Sequence, residues 1–230
     1  MSESEEIIRR YDRRKTIPEN RYSPLNASTF MGEQEKERIL IKLIRKAKLE
    51  PLSNKKLLEI GCGTGTNLLQ LIRLGFQPAN LFANDILPER IAEAKRKLSN
   101  QITFFEGDIL NLKFEYETFD IAFQSMVFSS ILDDAFRQKL AAKMWQLIKP
   151  GGGVLWYDFI YNNPNNKDVK AVTLKNIKDY FPCKNIIIYR LTLAPPITRM
   201  VTKIHPSLYG VFNSIYFLKT HLLCFIKKTG

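Results

Sequence analysis

A short glycine-rich stretch is the part of this sequence whose residue types and spacing best suit chemistry. Residues 59–65 read EIGCGTG, and they end an apolar run, LLEI, that predicts a buried strand. Glycine tolerates left-handed backbone and lets a ligand approach the main chain closely. Because the acidic Glu59 precedes the first glycine, the turn disfavours a pyrophosphate and favours a ligand that carries an ammonium group.

Two acidic residues follow the next two predicted strands. Asp85 comes about 20 positions beyond the glycines, a spacing that suits a carboxylate accepting from both hydroxyls of a ribose. Asp108 lies between Gly107 and Ile109, where a carboxylate and an apolar side chain can hold the amino edge and the face of an adenine. The spacing G-x-G-x-G differs from the dinucleotide pattern G-x-G-x-x-G. The three sites together therefore predict an adenosine-containing ligand.

Alternating strands and helices must position these residues. Apolar runs predict strands at 57–60, 81–84, 102–107, 119–126, 154–160, 185–193 and 221–228. Amphipathic segments predict helices at 33–49, 66–74, 88–98, 135–148 and 168–181. This alternation predicts a parallel sheet covered by helices on both faces.

These motifs resemble those of the class I S-adenosylmethionine-dependent methyltransferases. The matching segments are LLEIGCGTG (57–65), Asp85, GDI (107–109), FDIAF (119–123) and IKPGG (148–152), within a resemblance that covers residues 33–160. It implies a Rossmann-like, doubly wound, seven-stranded α/β sheet whose last strand is antiparallel. It also implies S-adenosyl-L-methionine as cofactor and S-adenosyl-L-homocysteine as product. The cofactor-binding residues that it implies are Glu59, Gly61, Cys62, Gly63, Thr64, Gly65, Asp85, Ile86, Gly107, Asp108, Ile109, Gln124 and Ser125.

We place the methyltransferase domain at residues 33–230. Two segments of the chain are additions to the minimal form of such a domain. Residues 1–32 form a polar, basic arm, for which we weigh a lid over the cofactor against a frayed tail. Residues 194–220 insert a mostly apolar segment with interspersed positive charges before the last strand. Three interpretations of this insertion stay open: a cap that shapes an apolar acceptor pocket, a membrane-contacting surface, or packing against the domain or a second subunit.

The methyl acceptor is expected at the carboxyl end of the fifth strand, where substrates bind in such sheets. Proximity contributes much of the rate of an in-line methyl displacement, and an oxygen acceptor also needs a base. The catalytic candidates are Asp158, His221, His205 and Tyr157. The substrate-binding candidates are Tyr11, Arg13, Tyr22, Tyr161, Asn162 and Asn163. The sequence QSMVF at 124–128 lacks the Asn/Asp-Pro-Pro-Tyr/Phe motif of amino-methylating nucleic-acid enzymes, which argues against methylation of a base nitrogen.

Composition restricts the class of protein further. The chain has 230 residues, of which 45% are apolar and 25% charged, as expected of a globular domain. Its three cysteines form no CxxC pair, so we expect a reducing compartment and no metal site. The charged N-terminus lacks a secretory signal, and no apolar run is long enough to span a bilayer. We therefore expect a cytoplasmic monomer or homodimer, with peripheral membrane contact as a further option.

The charge is strongly positive and unevenly distributed. The net charge is +12, and no carboxylate follows Asp179. Such a surface attracts nucleic acid, anionic lipid or phosphorylated substrates. We expect methyl transfer to a small or medium acceptor, at an oxygen of a sugar, glycolipid or specialised metabolite. The alternatives are an RNA-directed methyltransferase that uses the basic surface and a non-catalytic cofactor-binding scaffold.

Overall fold

The central feature of the fold is a mixed sheet of seven strands. The computed structural model describes residues 2–14 and 18–229. The strands are β1 (Leu57–Ile60), β2 (Leu81–Asp85), β3 (Thr103–Glu106), β4 (Phe119–Ser125), β5 (Ile148–Phe159), β6 (Asn185–Leu193) and β7 (Lys219–Lys227). Their order is β3-β2-β1-β4-β5-β7-β6, and β7 is antiparallel to both β5 and β6. This topology confirms the predicted doubly wound α/β sheet with an antiparallel last strand.

Helices cover both faces of the sheet. They are α1 (Glu3–Arg14), α2 (Ala27–Ala47), α3 (Thr66–Arg73), α4 (Pro88–Lys97), α5 (Asp134–Leu147), α6 (Leu174–Tyr180), α7 (Pro195–Ile204) and α8 (Leu208–Asn213). Neighbouring residues of a strand point to opposite faces, so Leu57 and Leu58 belong to two different apolar clusters. Every residue of β1 is buried, as expected of a parallel strand covered on both sides.

Two helical segments differ from the prediction. The polar arm contains α1, and α2 begins at Ala27 rather than at residue 33. The helix predicted over 168–181 is shorter, because a capping box between Thr173 and Asn176 starts α6 at Leu174. Before it the chain is extended, and the amide of Val172 donates to the carbonyl of Phe159 at 3.0 Å.

The insertion at residues 194–220, which we call the cap, folds into α7, α8 and a 3₁₀ turn (Tyr216–Leu218). A small cluster of Leu193, Val201 and Tyr209 joins the cap to β6. The buried carboxylate of Glu35 on α2 accepts from the Tyr209 hydroxyl and from Nδ2 of Asn213, both at 2.6 Å. No helix in the described part of the chain has the length and apolar character needed to cross a membrane.

Candidate functional site

A cleft of about 260 Å³ opens at the carboxyl ends of the parallel strands, at the point where the strand order reverses between β1 and β4. The turns that follow β1, β2, β3 and β4 form its floor, and α1, α4 and α5 supply its walls. Seven of the predicted cofactor-binding residues line it: Gly61, Asp85, Ile86, Gly107, Asp108, Ile109 and Ser125.

The glycine turn is tightly built around Gly61. This residue has φ +68°, and a Cβ there would lie 2.4 Å from Cγ2 of Val127. Only glycine satisfies both constraints. The backbone amides of Gly63 and Leu87 donate to the two carboxylate oxygens of the buried Asp85 at 2.8 and 2.9 Å. Asp85 therefore fixes the turn and lies in the wall of the cleft.

Glu59 is fully buried, and only one of its two carboxylate oxygens accepts a hydrogen bond from the described residues. Its Oε1 accepts from Nδ2 of Asn67 at 2.7 Å, whereas Oε2 has no hydrogen-bond partner among the described residues. Burial raises the pKa of Glu59 to about 8, against smaller opposing effects of Asn67 and Lys36. A buried carboxylate oxygen without a donor, next to the glycine turn, fits a ligand with an ammonium group.

The opposite end of the cleft fits an adenine. Oδ1 of Asp108 accepts from the amide of Leu110 at 2.9 Å, and Oδ2 accepts from the Ser4 hydroxyl at 2.6 Å. Ile109 is buried and lines the cleft beside it. The residues present thus match each part of S-adenosylmethionine: Glu59 would hold its amino group, Asp85 its ribose, and Asp108 with Ile109 its adenine.

Helix α1 lies across this cleft. Ile7 and Tyr11 line the cavity, and the guanidinium carbons of Arg14 and Arg90 lie 4.6 and 4.3 Å from the centroid of the Tyr11 ring. Oε1 of Glu3 accepts from the amide of Leu132 at 2.8 Å. These contacts place the arm where a lid would act.

A salt bridge holds the end of α1 to the loop before α6. Arg13 donates to Asp168 at 2.6 Å. Its hydrogen bond and positive charge lower the pKa of the Asp168 carboxyl. Arg13 was predicted to bind substrate, and that role stays a prediction.

Six predicted cofactor-binding residues lie in the turn and its surroundings rather than in the lining of the cleft: Glu59, Cys62, Gly63, Thr64, Gly65 and Gln124. The Cys62 thiol is buried, which raises its pKa and makes it a small filler. Gln124 is fully buried, with Nε2 donating to the Tyr157 carbonyl at 3.3 Å and Oε1 accepting from the Val127 amide at 3.0 Å. Gly65 caps α3, directly after Thr64. Direct contact of these residues with the cofactor stays a prediction.

A second group of polar residues, which we call the edge cluster, consists of Lys36, Tyr157, Thr192 and His221. The imidazole of His221 stacks on the Tyr157 ring with centroids 5.1 Å apart, and Nζ of Lys36 lies 5.3 Å from the same ring. The Tyr157 and Thr192 hydroxyls are 2.9 Å apart. Burial and the nearby Lys36 lower the pKa of His221 to about 3, so its imidazole is neutral.

Unusual backbone conformations flank the edge cluster. Thr192 has φ +65° and Met126, at the end of β4, has φ +63°. A β-branched residue rarely adopts this conformation. The amide of Thr192 donates to Glu35 at 2.9 Å, and the amide of Met126 donates to the Tyr157 carbonyl at 2.9 Å. Strained backbone of this kind concentrates at functional sites.

None of the four catalytic candidates lines the cleft, and the other two also lie outside the edge cluster. Asp158 is fully buried outside the lining of the cleft and accepts from the amide of Ser129 at 3.1 Å. Burial raises its pKa to about 6. His205 is exposed at the end of α7, where its Nδ1 accepts from the amide of Ser207 at 3.2 Å. Catalytic roles for both residues stay predictions.

The remaining substrate-binding candidates lie at the surface. Arg190 donates to the hydroxyl of Tyr161. Asn162 and Asn163 accept backbone amides within the loop that follows β5. Tyr22 is exposed, and the guanidinium carbon of Arg21 lies 5.9 Å from the centroid of its ring. Contact of these residues with substrate stays a prediction.

Sequence reasoning missed several residues of the site. Ile7, Arg90 and Ser130 line the cleft, and Lys36 belongs to the edge cluster. Ile7 and Tyr11 are one helical turn apart in a charged segment, a spacing that predicts a helix with one buried side. That signal was available in the arm. The position of Lys36 was not, because it depends on how α2 crosses the sheet.

Comparison with known proteins agrees with the fold and the cleft. Residues 57–152 match the methyltransferase domain family. A methyltransferase of this fold from Thermotoga maritima superimposes with a TM-score of 0.59 at 13% identity and covers 99% of both chains. The phosphoethanolamine N-methyltransferase 2 of Haemonchus contortus, in complex with S-adenosyl-L-methionine, gives 0.58 at 15% identity and covers 91% of this chain and 59% of its own. The chain therefore carries a methyltransferase domain over residues 57–152, in agreement with the class I S-adenosylmethionine-dependent methyltransferases that its motifs resemble, and the cleft fits S-adenosyl-L-methionine as its cofactor.

Curated relatives are longer and differ in their acceptors. The sterol 24-C-methyltransferase of Debaryomyces hansenii is 26% identical over 144 residues, which are 59% of this chain and 37% of that protein. The chain thus spans little more than a third of this relative's length.

Proposed function

We propose that the protein transfers a methyl group from S-adenosylmethionine to an oxygen of a small or medium acceptor, such as a sugar, a glycolipid or a specialised metabolite. The edge cluster carries the proposal, because it joins a neutral imidazole, a buried phenol and a lysine at the carboxyl edge of the sheet. When bound, the cofactor supplies an electrophilic methyl group on a sulfonium that leaves as a neutral thioether.

The edge cluster can manage the proton of an acceptor hydroxyl. The neutral His221 accepts that proton as the oxygen gains its bond to carbon. With a pKa of about 3 the imidazole is a weak base on its own. The positive charge of Lys36, 5.3 Å from the centroid of the Tyr157 ring, stabilises the negative charge that develops on the oxygen.

The position of α1 supports a small acceptor. Ile7 and Tyr11 cover the cleft, and the contacts of Glu3 and Arg13 hold the helix there. We infer that the arm acts as a lid that excludes water during transfer. A long polymer would need an open groove at this point. The named acceptors of the relatives, a sterol and phosphoethanolamine, are also small, although they are methylated at carbon and nitrogen.

A product screen by mass spectrometry tests the proposal. The purified protein is incubated with S-adenosylmethionine and a panel of sugars, glycolipids, phenols, sterols and phosphoethanolamine. We expect an O-methylated product, and we expect His221→Asn to reduce kcat by about 100-fold or more while S-adenosylhomocysteine affinity is kept. His205→Asn is the matched histidine variant. Methylation only at carbon or nitrogen, or full activity of His221→Asn, would contradict the proposal.

The charge distribution favours RNA as the second candidate acceptor. Seven basic residues and no carboxylate follow Asp179: Lys184, Arg190, Arg199, Lys203, Lys219, Lys227 and Lys228. An RNA-directed enzyme would bind RNA with an affinity that falls steeply as salt increases. Transfer of a labelled methyl group to total RNA, with no small-molecule product, would establish this alternative.

A further inference from the structure

We propose that the outer face of the cap docks on the surface of an anionic lipid bilayer. This face combines exposed apolar side chains with positive charge on adjoining elements, since α7 packs on α8 and the 3₁₀ turn follows α8. Its exposed apolar residues are Met200, Ile204, Val211, Ile215, Tyr216 and Phe217. The proposal does not depend on which acceptor the active site takes.

The buried side of α7 contains two threonines beside Val201. Thr198 and Thr202 are buried, and their hydroxyls donate to the carbonyls of Leu193 and Thr198 at 2.9 and 2.7 Å. Met200 and Ile204, one helical turn apart, are 58% and 75% exposed. The helix thus buries two threonines and leaves a methionine and an isoleucine exposed. It does not gain the free energy that burying these two apolar side chains against its own domain would provide. An apolar partner outside the chain recovers it.

The charge of the face selects an anionic partner. Arg199 and Lys203 are exposed on α7, and the sequence from residue 180 to 230 contains no carboxylate. In a two-fold dimer formed through the cap, these cations would meet the cations of the second copy. The cap contains no carboxylate that could pair with them. Anionic head groups pair with Arg199 and Lys203 while the apolar residues enter the acyl boundary.

The composition of the face favours lipid over RNA. Tyr216 and Phe217 of the 3₁₀ turn are exposed aromatic residues, whereas the large exposed apolar side chains of α7 and α8 are Met200, Ile204 and Val211. Aliphatic groups provide no stacking platform for bases, which single-stranded RNA binding uses. At the margin of the face Tyr216 lies under Arg190, with the guanidinium 4.8 Å from the ring centroid. An amphipathic aromatic beside a cation suits the head-group level of a membrane.

Vesicle sedimentation tests the proposal with the whole 230-residue chain. Vesicles of equal parts phosphatidylglycerol and phosphatidylcholine are compared with pure phosphatidylcholine. We expect binding to the anionic vesicles, weakened about tenfold or more in Met200→Ser/Ile204→Ser. Arg199→Ala/Lys203→Ala should weaken it roughly thirtyfold. Leu69→Ser/Tyr116→Ser and Lys95→Ala/Lys175→Ala remove the same numbers of exposed apolar and basic groups from other parts of the surface.

Each possible result decides for or against the docking face. Unchanged S-adenosylhomocysteine affinity in all variants shows that they are folded, so a selective loss in the two cap variants supports the proposal. Equal losses in the control variants, or no binding to anionic vesicles, would overturn it. A dimer that dissociates in Met200→Ser/Ile204→Ser, or RNA binding through the cap without vesicle binding, would also overturn it.

Discussion

Replacing Glu59 by glutamine tests the link between burial, charge and cofactor binding. Glutamine has the shape of a protonated glutamate, and its carbonyl oxygen can still accept from Asn67. In the free protein the carboxyl has a pKa of about 8, so at neutral pH it is mostly protonated. The substitution therefore removes little from the free protein but removes the anionic acceptor for the ligand's ammonium group.

The expected loss of affinity follows from the free energy of a charged hydrogen bond and from the free energy per pH unit of a titrating carboxyl. A hydrogen bond to a charged group contributes about 1.5–3 kcal/mol, so Glu59→Gln should weaken S-adenosylhomocysteine binding by roughly 10- to 150-fold at pH 7.5. In the wild type, an ammonium ligand favours the ionised carboxyl, so binding releases a proton. The affinity of the wild type for S-adenosylhomocysteine should fall up to about tenfold for each pH unit below 8, because each unit corresponds to about 1.4 kcal/mol.

The same substitution should raise the stability of the fold, although it weakens ligand binding. Burial raises the pKa of Glu59 from 4.5 to about 8, so between these values the folded chain binds a proton that the unfolded chain has lost. Wild-type stability therefore falls as pH rises through this window. At about 1.4 kcal/mol per pH unit the cost at pH 8 approaches about 5 kcal/mol. Glu59→Gln should consequently melt higher than the wild type at pH 8 and gain nothing at pH 4.5.

Titration calorimetry with S-adenosylhomocysteine at pH 5.5, 6.5 and 7.5, together with thermal melts, measures both effects. Glu59→Gln should show weak binding that does not vary over this pH range. Buffers of different ionisation enthalpy report the proton that the wild type releases. Parallel pH profiles for the two proteins, or equal affinities at pH 7.5, would refute the assignment of the ammonium group to Glu59.

Further predictions concern the turn, the arm and the fifth strand. Asp85→Ala should weaken S-adenosylhomocysteine binding by about 1–3 kcal/mol, and unchanged affinity in calorimetry would exclude the ribose contact. Gly61→Ala should abolish binding and lower the melting temperature, and Val127→Ala should restore only part of the loss, since the positive φ remains. Deleting residues 1–22 should reduce turnover more than it lowers the melting temperature, and an active truncated enzyme would argue against the lid. Asp158→Asn should reduce turnover at pH 8 more than at pH 5, because the wild-type carboxyl with its pKa of about 6 is already neutral at pH 5; a loss independent of pH would contradict this.

Local sequence signals predicted the sheet and the shared position of three motifs at one of its edges. The apolar run of β1 ends directly in the glycine turn, and Asp85 and Asp108 follow at the ends of β2 and β3. In a parallel sheet those ends meet at one edge, so topology alone brings the three groups to the same cleft. Nothing beyond strand order was needed to place them.

The acceptor end could not be predicted in the same way. Lys36, Tyr157 and His221 are far apart in the sequence and meet only because α2 crosses β6 and β7. Asp158 was a reasonable candidate by position, but strand alternation turns it to the opposite face from Tyr157. The two-residue period of a strand thus turns two neighbouring candidates, Tyr157 and Asp158, to opposite faces of the sheet.

Glu35 explains why the edge cluster and the cap form one unit. Its buried carboxylate accepts from Tyr209 and Asn213 of the cap and from the amide of Thr192. A β-branched residue held at positive φ costs on the order of 1–3 kcal/mol, which the surrounding hydrogen bonds must offset. The result is a fixed Thr192 hydroxyl, 2.9 Å from that of Tyr157. Strained backbone of this kind concentrates at functional sites, which supports the proposal that an acceptor is oriented beside Tyr157 and His221.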